Sequence, residues 1–415
     1  TVSSNAIVGG SSVISNLTVD QDIGTIYNGA IGGVGANQNN LGLIKSGVGA
    51  LTLSGSVLSY VGQTTVTGGR LSITGGQSAP LQTSSVKVTT GAILNLNNTV
   101  GQTIDLGSGS LNLGAGTAGS ASLGLDVGSL TTFDRIVTTG AATAANKVIV
   151  NLTGLPGLAA GTYDLFTAGS GLNGTSFSIG DLKTFGGFTF GLTQTDTAVT
   201  LTTTALPTNL YWRVGADVSW SSLNYANYDT NFSTDSAGTT NAKGFPGIAN
   251  KLIFSATPGA ATTAYVTTLD GNFTVGSLQF TSTPTGITSV TIAQGGPELT
   301  TALTISPASA ADGITIDDNA GAILFSAPLI LGASQTWAIA GTGANGSTLS
   351  VSGAISGTAG KNLTIAGLPG AIVNFSGLST YAGTTTVSAG QLTVSGLLAD
   401  TSTVVVNGGV YDLNA

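Results

Sequence analysis

The sequence predicts an all-β fold, because its residues alternate in the manner of strands, glycine is abundant and helix signals are lacking. Short stretches such as ALTLSG (50–55) and SVKVTTG (85–91) alternate apolar with small polar residues, which is typical of half-buried strands. The chain has 63 glycines among 415 residues, and glycine clusters mark the corners between strands. Glu298 is the single glutamate, and no window places apolar residues at helical spacing beside helix-forming polar residues.

Internal repetition indicates how these strands are arranged. The phrase YVGQTTVTGGRLSITG (60–75) returns as YAGTTTVSAGQLTVSG (381–396) at an offset of 321 residues (381 − 60), and 8 of its 16 positions are identical. Weaker matches on both sides extend the likeness to roughly the first and the last hundred residues. Sandwiches and barrels close on themselves, whereas a solenoid stacks one coil on the next and repeats its sequence. We therefore expect an elongated parallel β-helix with coils of about 20 residues that rise about 4.8 Å each.

In such a coil, inward aliphatic residues at equal places form ladders, and glycines permit the bends between faces. The residues predicted to point inward are Leu51, Leu53, Val66, Leu71, Ile73, Val86 and Val88 in the first copy, and Val373, Phe375, Val387, Leu392, Val394, Val404 and Val406 in the second. The glycines predicted at bends are Gly62, Gly69, Gly75, Gly383, Gly390 and Gly396.

Changes in the strand pattern and in aromatic content along the chain predict three parts. Residues 1–205 form a β-solenoid run whose repeat module lies near 29–98, and residues 250–415 form a second run whose module lies near 353–415. Between them, residues 206–249 are an irregular, aromatic-rich junction segment that interrupts the strand pattern.

Composition excludes several classes of function. Charged residues make up only 7% of the chain and the net charge is −8, so no basic patch is available for phosphates or anionic lipid. We therefore expect neither nucleic-acid binding nor membrane insertion. Cysteine and histidine are absent, which removes disulfides, the commonest metal ligands and the usual nucleophile and base pairs. No cofactor, metal site or catalytic residue is predicted, and the missing cysteines together with the start TVSSNAIVGG favour a processed, exported chain.

Residues 42–75, GLIKSGVGALTLSGSVLSYVGQTTVTGGRLSITG, resemble the autotransporter-associated β-strand repeat in passenger regions of bacterial surface proteins. That repeat runs from a lysine-containing Gly-x-Gly phrase through LTLSG, a Tyr-x-Gly step and TTV to a closing GxLxV. The second copy departs from it, since it lacks the lysine and has Ala366 nearby. The resemblance implies a secreted or surface-displayed, right-handed parallel β-helix without catalytic residues. The matching residues are Lys45, Gly47, Gly49, Leu51, Leu53, Ser54, Gly55, Tyr60, Gly62, Thr64, Thr65, Val66, Gly69 and Leu71.

Three pairs of acidic residues are candidate sites. Asp317 and Asp318 resemble the paired carboxylates of polysaccharide-cleaving enzymes, but neighbours on a strand point to opposite faces, so we expect a solvated turn with 319–321. A second pair on one predicted strand face and a third across a loop are possible ligands for calcium, although neither has the dense spacing of a calcium motif. These two pairs are Asp20 with Asp22, and Asp229 with Asp235.

The aromatic-rich segment has two interpretations. Its rings could stack on a carbohydrate, or they could form a small local core at the junction, and we favour the core. The rings concerned are Tyr211, Trp212, Trp220, Tyr225, Tyr228, Phe232 and Phe245.

These observations predict a structural protein and no enzyme. The first hypothesis is a secreted β-solenoid subunit of an extracellular filament or matrix, because the ends of a solenoid expose unpaired strand edges that recruit another chain. Its partner would be the chain itself, stacked head to tail, with surface glycans as a further possibility. The alternative is the rod-like passenger or stalk of a bacterial surface adhesin, and a polysaccharide-active enzyme is the third class. All place the chain outside a bacterial cell or at its surface.

Overall fold

A computed structural model shows an all-β chain of stacked parallel strands, which confirms the predicted parallel β-helix. Apart from one short 3-10 helix, Leu172–Gly174, regular structure in the described part of the chain consists of strands. The structure describes residues 5–55, 57–74, 83–183, 185–213, 218–255, 264–281, 289–295, 300–308, 312–318, 320–341, 348–399 and 402–413.

The chain divides into two compact units. Unit 1 comprises Thr1–Phe185 and Phe190–Thr204, and unit 2 comprises Gly186–Thr189 and Ala205–Ala415. The three-part division of the sequence, with an independent junction at 206–249, stays a prediction.

Unit 1 contains strands β1 to β18, of which β17 and β18 extend across the boundary between the two units. Their bounds are β1 Ser15–Asp20, β2 Thr25–Tyr27, β3 Leu41–Ser46, β4 Ala50–Leu53, β5 Thr64–Val66, β6 Arg70–Ile73, β7 Val86–Thr89, β8 Ile93–Asn95, β9 Thr103–Asp105, β10 Leu111–Ala115, β11 Ser120–Val127, β12 Arg135–Val137, β13 Ala142–Ala144, β14 Lys147–Gly154, β15 Gly161–Thr167, β16 Ser176–Lys183, β17 Phe188–Gln194 and β18 Ala198–Ala205.

These strands form three sheets. The first two have the orders β1-β3-β5-β7-β10-β13 and β2-β4-β6-β8-β11-β14-β16, and strands that neighbour each other there are parallel. The third has the order β9-β12-β15-β18-β17, in which β18 runs antiparallel to β15. Parallel stacking therefore ends in the third sheet at β15.

Unit 2 contains β19 to β42. Their bounds are β19 Asn209–Trp212, β20 Leu223–Asn224, β21 Asp229–Thr230, β22 Phe232–Ser233, β23 Lys251–Phe254, β24 Ala264–Leu269, β25 Phe273–Val275, β26 Ser277–Phe280, β27 Ser289–Gln294, β28 Leu303–Ile305, β29 Asp312–Ile316, β30 Ala322–Phe325, β31 Leu329–Leu331, β32 Gln335–Ile339, β33 Thr348–Val351, β34 Ile355–Gly357, β35 Leu363–Gly367, β36 Ile372–Phe375, β37 Leu378–Ser379, β38 Thr384–Ala389, β39 Gln391–Val394, β40 Leu397–Leu398, β41 Thr403–Val406 and β42 Val410–Leu413.

Three long sheets make the three faces of the coils in unit 2. Their orders are β22-β19-β23-β26-β29-β32-β35-β38-β41, β24-β27-β30-β33-β36-β39-β42 and β25-β28-β31-β34-β37-β40, and a small hairpin pairs β20 with β21. From β23 onward each strand pairs in parallel with the strand three places later, so one coil consists of three strands. Leu392 pairs with Tyr411, 19 residues later (411 − 392), which agrees with the expected coil length.

The predicted core residues are buried in both copies, with two exceptions. All seven in the first copy are buried, as are the five from Val373 to Val394 in the second. Val404 is only half-buried and Val406 is 50% exposed. Both lie on β41, which is the outermost strand of its sheet, so Thr385 and Val387 of β38 cover them from one side alone. Their inward direction agrees with the prediction, because both continue the columns of the buried Thr385 and Val387, and their exposure follows from their place at the sheet edge.

The repeated phrase has the same structural role in both copies. The Tyr60 hydroxyl shares a hydrogen bond of 2.7 Å with Thr64 Oγ1, and the Tyr381 hydroxyl shares one of 2.5 Å with Thr385 Oγ1. All four residues are fully buried. Each tyrosine thus fills the core while its polar end is satisfied by a threonine four residues later.

Glycines of the phrase permit close approach between successive coils. A Cβ at Gly62 would lie 2.6 Å from the carbonyl oxygen of Leu41, and a Cβ at Gly383 would overlap the carbonyl oxygen of Lys361. Gly69 and Gly390 have positive φ angles of 60° and 75°, which other residues rarely adopt. Among the glycines predicted at bends, Gly75 lies outside the described residues.

Candidate functional site

The aromatic-rich segment forms a buried cap at the beginning of unit 2. Trp220 packs between Trp212 and Phe273, with ring centroids 5.9 and 5.3 Å away. The two tryptophans belong to the core of the unit, and the partly buried Phe273 packs against it. Phe232 packs edge-on against both tryptophans, at 5.4 and 5.9 Å. We call β19, β22 and residues 218–221 the aromatic cap.

Hydrogen bonds fix the aromatic cap on the first strand of the second sheet. The Trp220 amide donates to the Thr268 carbonyl at 3.0 Å, and the Thr268 amide donates to the Val218 carbonyl at 2.6 Å. Trp220 Nε1 donates to Thr267 Oγ1 at 3.0 Å, while Asp270 accepts hydrogen bonds from the hydroxyls of Ser219 and Ser221. The cap therefore covers the edge of β24.

Burial prevents most of the aromatic rings from stacking on a carbohydrate. Trp212, Trp220, Phe232 and Phe245 are buried, so their faces are closed to a ligand. Tyr211 and Tyr228 are partly buried, and Tyr225, at 54%, is the most exposed of the seven rings predicted as candidates. The rings act mainly as a local core, the interpretation that the sequence favoured.

Asp20 and Asp22 face a cation of the chain itself. Lys45 is completely buried, and its Nζ donates to the carbonyl oxygens of Ser46, Gly47 and Gly68. Burial lowers the pKa of Lys45, while the nearby charges of Asp20 and Asp22 act in the opposite direction. The direct partners of the Lys45 ammonium are therefore backbone carbonyls, and the two aspartates act on it through their charge.

Asp229 and Asp235 each interact with other residues of the segment in which they lie. Asp229 forms an ion pair with Lys243 at 3.0 Å. Asp235 accepts hydrogen bonds from the amides of Thr239 and Thr240, which hold the pKa of its carboxyl well below the usual range. Within the described ranges, no group of three or more His, Cys, Asp or Glu side chains could hold a metal ion.

Asp317 and Asp318 lie at the turn that follows β29. The Asp317 amide donates to the Phe280 carbonyl at 2.9 Å, and both Asp317 carboxylate oxygens lie 3.3 Å from Gln279 Nε2. Both aspartates are partly buried. Asn319, which we expected to share this turn, lies outside the described residues.

A further carboxyl pair, Asp126 and Asp134, is buried in unit 1 and was not identified from the sequence. The Asp134 carboxylate accepts the amides of Gln102 at 2.9 Å and Asp126 at 2.8 Å. The Asp126 carboxylate accepts the amides of Asn98 and Thr99, both at 2.7 Å. Burial raises the pKa of both groups, that of Asp134 to about 8. Through these hydrogen bonds the two carboxyl groups hold the turn at 98–102 against the end of β11.

The first coil of unit 1 and the last coil of unit 2 expose strand edges and apolar side chains. We call Ile7, β1 and β2 the opening coil, and β40, β41 and β42 the closing coil. Among the described strands, β1, β2, β40, β41 and β42 each pair with a single neighbour. Ile26 in the opening coil is 75% exposed and Leu413 in the closing coil is 67% exposed. Within the described residues, both ends therefore combine strands that pair on one side only with accessible apolar side chains, which is the arrangement that recruits another strand.

Comparison with known families confirms the resemblance seen in the sequence. The profile of the passenger-associated-transport-repeat matches residues 43–73 and 372–394, which include β4 to β6 in unit 1 and β36 to β39 in unit 2. This repeat indicates a secreted or surface-displayed bacterial protein of the passenger type. No curated protein and no solved structure matches the chain. In the part of the chain that is described, no helix is long and apolar enough to span a membrane.

Proposed function

We propose that this chain is a structural β-solenoid subunit of an extracellular filament or matrix, assembled by head-to-tail stacking of copies. The observation that carries the proposal is the contrast between the ends of the stacks. In unit 2 the aromatic cap covers the beginning, whereas no described strand pairs beyond the closing coil. In unit 1 no described strand pairs beyond the opening coil, while antiparallel β18 ends the third sheet. The two open ends differ from each other, so a contact between them is heterologous and propagates.

The surface chemistry favours such stacking. A chain in which only 7% of residues are charged carries little repulsion between copies. Stacking one coil on another also pairs edge amides and carbonyls that otherwise face water, and it covers inward-facing residues such as Val406 and Leu413.

Sedimentation velocity and negative-stain electron microscopy of the purified chain test this function. We expect sedimentation coefficients that rise with protein concentration, together with filaments in the images. The variant Leu413→Lys places a charge in the closing coil and should abolish assembly, whereas Leu368→Lys, at an exposed leucine outside both open coils, should assemble normally. Monomers at every concentration, or equal assembly of both variants, would contradict the proposal.

A second function is the stalk of a surface-displayed passenger protein, and the two matches to the passenger-associated-transport-repeat favour it. In that case further coils of a longer polypeptide would cover the open ends, and the exposed Tyr225 ring is a candidate contact for surface glycans. Intact-mass analysis of the protein released from cells separates the two functions: a long polypeptide with monomeric stalks supports the passenger, and stacked short chains support the filament.

We also propose that the protein has no enzymatic activity. The carboxyl pair Asp317 and Asp318 is the strongest catalytic candidate of the sequence. If incubation with polysaccharides released reducing ends, and Asp317→Asn abolished that release, the proposal would be overturned.

A further inference from the structure

Strand order is the same in the two open coils. The opening coil runs from Ile7 through β1 to β2, and the closing coil runs from β40 through β41 to β42. The repeated phrase relates the faces of the two units: at the offset of 321, β5 corresponds to β38 and β6 to β39. The first sheet of unit 1 thus corresponds to the first sheet of unit 2, and the second to the second.

We propose that the stacking has one specific register, in which β1 of one copy pairs in parallel with β41 of the next copy, with Leu17 opposite Val404. This inference rests on the proposed function and adds the residues that meet in the contact. It follows from continuing, across the contact, the columns of side chains that run through each unit.

The first column leads to Leu17. Within unit 1, Leu17 pairs with Leu43 and Leu43 pairs with Thr64. Thr64 corresponds to Thr385 in the second copy of the phrase, and Thr385 pairs with Val404 in the closing coil. Leu17 and Val404 therefore occupy the same column, and no described strand pairs with the other side of either.

The second sheet gives the same answer independently. Thr25 pairs with Leu51, which pairs with Leu71, and Leu71 corresponds to Leu392. Since Leu392 pairs with Tyr411, the columns place Thr25 opposite Tyr411 in the contact.

The third face agrees as well. Ile7 bridges to Ile31, and Ile31 bridges to Leu58. Leu58 corresponds to Ser379, which pairs with Leu398 of the closing coil. Ile7 thus lies opposite Leu398, so a single placement of the second copy satisfies all three faces.

Charges are compatible with this register. In this register Val19 lies opposite Val406, and the next residue, Asp20, lies opposite Asn407. On the second sheet, Asp412 lies opposite Ile26. No carboxylate faces another carboxylate in these pairs, so the edges can approach to strand spacing without like-charge repulsion.

Engineered cysteines test the register, because the native chain has no cysteine. In the proposed register Thr18 lies opposite Val405, and both side chains point outward. The double variant Thr18→Cys/Val405→Cys should therefore place two thiols side by side on adjacent strands, which are about 4.8 Å apart. Mild oxidation should then give a ladder of covalent multimers on a non-reducing gel. A mixture of the two single variants should give dimers only.

The matched control is Asn16→Cys/Val405→Cys. Asn16 points outward like Thr18, but it lies two residues away along β1, which places the Cα atoms about 8 Å apart, beyond the reach of a disulfide. This variant should assemble without covalent multimers.

The outcomes separate the register from the function. If native chains assemble but the Asn16 pair crosslinks as well as the Thr18 pair, or neither pair crosslinks, the register is wrong and the filament stands. Dimers from Val405→Cys alone would indicate tail-to-tail contacts and overturn the register too. If the native chain never assembles, the proposed function itself fails.

Discussion

Replacement of Trp220 by alanine tests whether the aromatic cap stabilises the beginning of unit 2. The side chain is fully buried, packs against Trp212, Phe232, Phe254 and Phe273, and donates a hydrogen bond to Thr267. Truncation of a buried tryptophan to alanine costs about 3–5 kcal/mol. At about 1.4 kcal/mol for each factor of ten, a loss of about 4 kcal/mol raises the population of the opened cap roughly 1000-fold.

Hydrogen exchange measured by mass spectrometry or NMR reports this change locally. The amides of Trp220 and Thr268 are the donors that attach the cap to β24, so their exchange should accelerate by up to about three orders of magnitude. Trp220→Phe retains most of the ring area but loses the Nε1 donor, so a cost of about 1 kcal/mol and a roughly fivefold acceleration are expected.

The matched control is Tyr225→Ala, which removes an exposed ring from the same segment. Because this ring is 54% exposed, its loss should change stability by less than about 0.5 kcal/mol and leave exchange at Thr268 unchanged. If Trp220→Ala and Tyr225→Ala exchanged alike at Thr268, the idea that the cap is held by its buried rings would be refuted.

Three further predictions concern the repeat and the buried carboxyl pair. Gly383→Ala should lower the melting temperature markedly, since its Cβ would overlap a carbonyl of the previous coil, whereas Gly271→Ala, whose Cβ meets only a ring carbon at 3.4 Å, should melt close to the native chain. Tyr60→Phe and Tyr381→Phe should each cost about 1 kcal/mol in denaturant titrations, and a larger loss in one copy would contradict their equal roles. In the folded chain the pKa of Asp134 is raised from 3.8 to about 8, so its contribution to stability is complete below about pH 4 and is lost as the pH rises to 8. The free energy of unfolding should therefore fall between about pH 4 and pH 8. A flat profile over this range would contradict the raised pKa.

Much of the fold could be predicted because it depends on local patterns. Alternation in LTL of β4 and in RLSI of β6 places Leu51, Leu53, Leu71 and Ile73 on one face, and the parallel register then aligns them in columns. The repeated phrase added the information that strands stack in coils, which alternation alone cannot distinguish from a sandwich.

The buried polar groups could not be predicted in this way, because they depend on contacts between distant turns. Asp126 and Asp134 are eight residues apart (134 − 126), and they meet because Val127, at the end of β11, forms an antiparallel bridge with Phe133. Lys45 lies two residues after Leu43 on β3, so alternation places it on the buried face, yet the Gly68 carbonyl that it contacts belongs to the next coil. Neither set of polar partners is visible in the sequence, because each joins residues from different turns.

The two copies show which parts of the repeat the coil requires. At the position of Lys45 the second copy has Ala366, where Gly367 approaches so closely that its Cβ would lie 2.8 Å from the Ala371 side chain. One copy therefore fills the turn with a lysine that binds carbonyls, and the other closes the turn with small residues. Tyr60, Gly62 and Thr64 have identical counterparts in the second copy, and they touch the neighbouring coil or satisfy the core. Stacking of coils is thus the property that the duplicated phrase specifies, while the turns tolerate different solutions.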